Sequence, residues 1–153
     1  MQMGDQLRDA EAASRIEQAL RLQTVEARDY LIVWGNRRRN YFVQFPSPEQ
    51  SAAGSGLPPS LYCEAVSDLY LSPENALGAR GAERLLDLGW VEPTATPAST
   101  QLYAGPRNYR SPNWSREFDL PNEAAFARIA QALLVTLSSV YGYSGGPLEL
   151  EIG

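Results

Sequence analysis

The sequence predicts an α+β domain built on an antiparallel sheet of about five strands, in the order helix, three strands, helix, one or two strands, helix. Three observations carry that expectation. A long amphipathic stretch opens the chain, a run of β-branched and aromatic segments follows with no helix between them, and a strong helical apolar stripe comes near the end. Strands grouped together, and not alternating one by one with helices, point to an antiparallel sheet, and strands consecutive in sequence usually pair. The 153 residues, 44% of them hydrophobic, fit one domain with a packed core. That domain is expected to span 1–153, with loops at 46–59 and 93–112 and a tail at 143–153.

The first helix is expected from about Asp5 to Gln23. Leu7, Ala10, Ala13, Ile16, Ala19 and Leu20 recur at three- and four-residue spacing, while Arg8, Asp9, Glu11, Arg15, Glu17, Gln18 and Arg21 fill the other face. Tyr30–Trp34 and Tyr41–Phe45 read as a hairpin closed by the five-residue loop Asn36–Asn40. A sheet with one wet face should alternate apolar and polar residues. This hairpin does not: Tyr30, Ile32 and Trp34 point one way, Leu31 and Val33 the other, and Phe42 breaks the alternation of the return strand. Its second face therefore needs cover from this chain, a second copy or a client.

Pro46–Pro59 is a loop by composition. A third strand is expected over Leu61–Leu69. Ser72-Pro73-Glu74 supplies an N-cap, a first-turn proline and a first-turn acid for the next helix, and Gly89 supplies its C-terminal stop. The Pro/Ser/Thr-rich stretch from Pro93 to Pro112 is irregular, with a short extended excursion at Gln101–Tyr103. Asn113–Leu120 alternates as a further strand. Asn122 is placed to cap a helix whose stripe is Phe126, Ile129, Ala130, Leu133, Leu137 and Val140, stopped by Gly142. The tail Pro147–Ile152 is expected as a short edge strand or a loose extension.

Composition narrows the chemistry. The chain has no histidine and no lysine. Ser-His-Asp triads, Cys-His dyads, histidine-ligated metals, Schiff-base lysines and P-loop lysines are therefore excluded. Cys63 is the one cysteine, so no intrachain disulfide can form. A net charge of −5 argues against nucleic acid as partner. No apolar run approaches the ~20 residues of a membrane span, and the mixed-charge N-terminus lacks a signal-peptide pattern. The expected compartment is the cytoplasm, with no membrane partner.

The stretches YLIVWGN…YFVQF, LYCEAVSDLYL, LLDLGW and NWSREFDL, followed by a helix ending in LLVTLSSVYG, appear in that order. Together they resemble the type III secretion chaperone-like and YbjN-like superfamily, the TY-Chap domains, over roughly Asp5 to Gly142. The resemblance implies the order α-β-β-β-α-β-β-α and a non-enzymatic chaperone or adaptor that holds a partner protein or peptide, commonly as a homodimer. The Pro93–Pro112 segment is longer than that pattern, and the resemblance carries over no catalytic residue.

Each chemical candidate has a plainer reading beside it. Arg37-Arg38-Arg39 reads as an anion site or as a solvated turn. Glu64 and Asp68 share a face of the expected third strand, but roughly 13 Å apart, too far for a shared metal. They read as solvated charges, or Glu64 as buried and paired to an arginine. Cys63 has no histidine to activate it and reads as a small buried hydrophobe. Trp34, Trp90 and Trp114 form either a ligand cage or core, with Trp34 the most open at a strand end. Gly142, Gly145 and Gly146 follow no strand and make no phosphate loop.

The doubly apolar hairpin is the expected site. Its partner-binding residues are Tyr30, Ile32, Trp34, Tyr41, Val43 and Tyr62, with no catalytic residue, metal or cofactor. The competing reading is a small-ligand sensor or a carboxylate-dependent enzyme, which would need a polar pocket.

Overall fold

The structure is a computed structural model that describes residues 3–48, 57–94 and 111–153. Its elements in chain order are α1 (Met3–Glu26), β1 (Tyr30–Asn36), β2 (Tyr41–Pro46), β3 (Ser60–Ala65), α2 (Gly78–Asp87), β4 (Trp114–Asp119), α3 (Ala125–Ser139) and β5 (Glu149–Ile152). The strands form one antiparallel sheet in the order β4-β3-β2-β1-β5. The α+β class and the five-strand sheet are as expected. Among the described residues the fifth strand follows the last helix, formed by the tail. The excursion expected at Gln101–Tyr103 lies outside the described residues.

Helices cover one face of the sheet. Ile16 and Leu20 of α1, with Phe126, Leu133 and Leu137 of α3, are buried in one cluster with Leu31, Val33, Val43, Phe45, Leu61 and Cys63 of the sheet. Each such side chain contributes roughly 1.5–3 kcal/mol on leaving water. Ala12, Ala13 and Ala19 are buried in the same cluster, so small residues let α1 lie close. Ala10 is exposed, and the side chain of Leu7 lies outside the description. Gln23 is buried too, and its Nε2 donates to the carbonyls of Phe45 and Pro46 at 2.9 and 3.1 Å. The last turn of α1 is thereby tied to the end of β2.

Three boundaries differ from the sequence reading. β3 stops at Ala65, and Asp68–Tyr70 is a 3-10 turn. Asp68 therefore leaves the strand: its carboxylate accepts the backbone N–H groups of Leu77 and Gly78 at 2.6 and 3.2 Å. It caps α2 from nine residues upstream, where an anion is favoured by the exposed N–H groups and the helix dipole. Ser72-Pro73-Glu74 starts only a second 3-10 turn, Pro73–Asn75. α3 begins at Ala125 without a side-chain cap, and Asn122 contributes its backbone carbonyl to Ala125 N–H.

The stop at Gly89 is as expected. At φ +93° it donates to the Leu86 carbonyl while Trp90 N–H reaches back to Leu85, both at 3.0 Å. That is the paired bonding of a Schellman terminus. It delivers Trp90 into the core, where its indole N–H donates to Thr136 Oγ1 at 3.1 Å.

Candidate functional site

The register of the hairpin decides which side chains share a face. Trp34 lies opposite Phe42, Ile32 opposite Gln44, Val33 opposite Val43 and Leu31 opposite Phe45. Directly opposed residues project to the same side. Leu31, Val33, Val43 and Phe45 are buried against the helices. Ile32, Trp34, Phe42 and Gln44 therefore stand on the face that α1 and α3 leave uncovered, and all four are half-buried.

Of the six residues expected at the site, Tyr30, Ile32, Trp34 and Tyr62 lie on that face, which is helix-free among the described residues. Tyr41 and Val43 do not. They sit with the core at 7% and 0% exposure, and Tyr41 donates its hydroxyl to the Asn75 carbonyl at 2.8 Å. The reason is the pairing just described: the residues that accompany Ile32 and Trp34 across the ladder are Gln44 and Phe42. A register shift between Trp34 and Asn36 fixes this arrangement near the turn. Gly35 takes up the shift against the end of α3, where an added Cβ would stand 2.8 Å from the Tyr141 carbonyl oxygen. Glycine in a strand is expected where another backbone comes this close.

The helix-free face has two halves. Toward β3 and β4 it is polar. Glu64, 8% exposed, accepts from Gln44 Nε2 (3.0 Å), Tyr62 Oη (3.0 Å), Ser111 Oγ (2.8 Å) and Asn113 Nδ2 (3.4 Å). Asn113 Oδ1 accepts Ser67 N–H in turn, and Ser67 Oγ donates to the Pro112 carbonyl. A buried carboxylate is tolerated when its oxygens are met in this way. Its ligands are occupied in stitching the 111–113 segment to the sheet.

Toward β1 and β5 the face is apolar with a charged rim. Phe42 meets Trp34 edge to face, ring centroids 5.2 Å apart. β5 places Glu149 opposite Trp34 and Glu151 opposite Ile32. Arg37, from the turn after β1, sets its guanidinium carbon 5.0 Å from the Trp34 ring centroid and pairs with both acids, at 3.3 Å to Glu149 and 3.1 Å to Glu151. Trp34 Nε1 is closed off from solvent and meets no hydrogen-bond acceptor among the described residues. Tyr30 packs its ring on Gly153, whose backbone also pairs with Asp29 and Tyr30.

Sequence reasoning missed Phe42, Gln44, Arg37, Glu149 and Glu151 as members of this surface. Counting the hairpin pairing outward from the loop expected at Asn36–Asn40 is the signal available for Phe42 and Gln44, although β1 itself runs on to Asn36. Arg38 and Arg39 remain exposed in the turn, and the Arg39 N–H donates to Asn36 Oδ1 at 3.2 Å. Trp90 and Trp114 are core, at 2% and 6% exposure, so no three-tryptophan cage forms.

The remaining titratable candidates are buried. Burial pushes the Cys63 thiol well above its usual range, with the neighbouring Glu64 charge adding to the effect and Arg116 opposing it. A thiol held neutral in this way is a poor nucleophile. Burial likewise raises the Tyr141 phenol, whose hydroxyl donates to the Val66 carbonyl at 2.7 Å. Among the described residues no group of three or more Cys, Asp and Glu side chains is placed to hold a metal ion, and no helix is long and apolar enough to cross a membrane. The described surface carries open grooves of about 350 to 500 Å³. One groove of about 350 Å³ runs between the Ser67–Leu69 turn, Leu77 just before α2, Ala82 of α2, and Trp114.

Neither the curated proteins nor the solved structures gave a match to this chain. A family model does match, over residues 12–151, and its description is "T3SS (YopN, CesT) and YbjN peptide-binding chaperone 3". That span runs from within α1 to within β5 and takes in both faces of the hairpin, and the chain belongs to this TY-Chap3 family of peptide-binding chaperone domains.

Proposed function

We propose that the chain holds an extended or helical segment of a client protein on the helix-free face of β1 and β2, with Ile32, Trp34 and Phe42 as the apolar contacts. The observation that carries this reading is the hairpin's two-sided apolar character. One set of side chains is spent on the core, and the other faces away from both packed helices. Apolar side chains gathered on one such surface, with a polar rim, are the usual mark of a docking site. Membership of a peptide-binding chaperone family fits the same role. The role is holding and not catalysis, since Cys63 is buried neutral and the Glu64 oxygens are engaged structurally. We place this work in one domain, in the cytoplasm, where a free thiol such as Cys63 persists.

The test is selection from a random peptide library, followed by binding of the selected peptides to the wild type and to Ile32→Asp. The expected result is loss of binding in the variant with an unchanged circular dichroism spectrum. Undiminished binding to a folded Ile32→Asp protein would place the site elsewhere. A homodimer belongs to the same proposal, and its measure is the solution mass at several concentrations, with and without peptide. A dimer that dissociates as peptide binds identifies this face as the seam between copies.

A further inference from the structure

The contact between Arg37 and Trp34 deepens the reading of the helix-free face, on which it rests. Arg37 is not placed by the core. It leaves a turn closed by the bond from Asn40 N–H to its own carbonyl at 3.1 Å, and its side chain is 54% exposed. It nevertheless lies back over the site, flat enough to approach the indole and forked enough to reach two carboxylates on alternate residues of β5. Those carboxylates are themselves 58% and 39% exposed. Ion pairs this open are weak and screened by salt, so the guanidinium can exchange for another.

Two further facts say what would replace it. With Arg37 swung away, an indole on β1 and two carboxylates on β5 remain on one face of the sheet, in a chain of net charge −5. That set is complementary to a cation, and to a planar guanidinium best. In addition, Trp34 Nε1 has no acceptor among the described residues. A buried donor left unpaired is unfavourable, and a backbone carbonyl arriving with the incoming segment would relieve it.

We propose that Arg37 is a built-in stand-in for the client: it fills a cation subsite formed by Trp34, Glu149 and Glu151, which an arginine or lysine of the bound segment takes over. The preferred client segment is therefore apolar with a basic residue, and the free protein keeps this half of the face closed.

Two measurements test this. Trp90 and Trp114 are almost fully buried, so acrylamide quenching of tryptophan fluorescence reports chiefly on Trp34. Arg37→Gln is expected to raise the quenching constant, and so is high salt on the wild type. The second measurement uses two synthetic peptides of one apolar sequence, differing only in a central Arg or Glu, read by fluorescence anisotropy. The wild type is expected to prefer the Arg peptide by roughly five- to tenfold, the combined size of a cation–π contact and an exposed ion pair. Arg37→Gln strengthens Arg-peptide binding, and the double variant Glu149→Gln/Glu151→Gln removes the preference. Equal binding of the two peptides, or a preference that survives the double variant, overturns the cation subsite and leaves the face reading standing. Failure of both peptides to bind, with Ile32→Asp indistinguishable from wild type, sinks the face reading and this proposal together.

Discussion

The two faces of the β1–β2 hairpin are built from the same kinds of residue and do different work. Phe45 and Phe42 stand three residues apart on one strand, Val33 and Ile32 are neighbours on the other. Phe45 and Val33 are sealed under α1 and α3, at 1% and 0% exposure, whereas Phe42 and Ile32 keep part of their surface in water. Hydrophobicity alone cannot tell these pairs apart, because the helices among the described residues pack on only one face. What separates them is which face the register hands to the helices. A protein that buries one face and leaves an apolar remainder on the other has surface to offer a partner.

The sharpest way to break this comparison is to truncate the same residue type on each face. Phe45→Ala is expected to cost about 3–5 kcal/mol, the usual range for a buried phenylalanine. Phe42→Ala is expected to cost roughly 1–2 kcal/mol, because it forfeits only part of the transfer free energy. Urea denaturation measures both. In peptide binding the order reverses for folded protein: Phe42→Ala loses affinity, and any residual folded Phe45→Ala retains it. Equal costs in stability would mean that Phe42 is core and that the face is not available.

Much of this was legible in the sequence, for reasons visible at particular residues. The hairpin, the helix stop at Gly89 and the stripe of α3 follow from local chemistry: β-branched runs, a glycine at positive φ, and 3.6-residue spacing. Tyr41 and Val43 lie on the core side, away from Ile32 and Trp34, because side is decided by pairing across the ladder, not along one strand. Asp68 could not be read as the cap of α2, since its partners at Leu77 and Gly78 are brought to it by two intervening 3-10 turns. Arg37 looked like a solvated turn because its acids, Glu149 and Glu151, lie more than a hundred residues away in sequence.

The next largest effect belongs to the joint between the faces. Gly35→Ala places a methyl group 2.8 Å from the Tyr141 backbone carbonyl oxygen and 3.2 Å from Leu137 Cδ2, the first a backbone atom and the second the end of a fully buried side chain with little room to move. A shift of α3 relative to β1 is expected, at about 1–3 kcal/mol for overpacking. Because the same shift would move Trp34, peptide affinity should fall with stability in this variant, unlike Phe42→Ala. A Gly35→Ala protein as stable as the wild type would show that the two faces are not coupled at the register shift.

Alkaline pH probes the buried face by itself. Folding raises the pKa of Tyr141 and Cys63, so above their unfolded values the unfolded chain releases protons that the native protein retains. Fewer protons bound by the unfolded state means that stability falls as pH rises. The limiting slope is about 1.4 kcal/mol per pH unit for each group. The decline should begin near pH 8.5 with the thiol and steepen near pH 10 with the phenol, the reference values of the two groups. Cys63→Ala should remove the first part of the decline and leave the second. An unchanged profile in that variant would mean that the thiol does not contribute.

The smallest expected stability effect lies on the open face and says the most about function. Glu151→Gln removes one half-exposed partner of Arg37. Such pairs contribute about 0–1 kcal/mol, and less in high salt. Chemical denaturation should therefore barely register the change, while tryptophan quenching should rise as Arg37 loses part of its hold. A residue whose loss leaves the fold intact and opens Trp34 is serving the surface, not the core. Should Glu151→Gln instead cost as much as Gly35→Ala, the Arg37 contact would be a structural clasp joining β5 to the hairpin, and the open face would lose its latch.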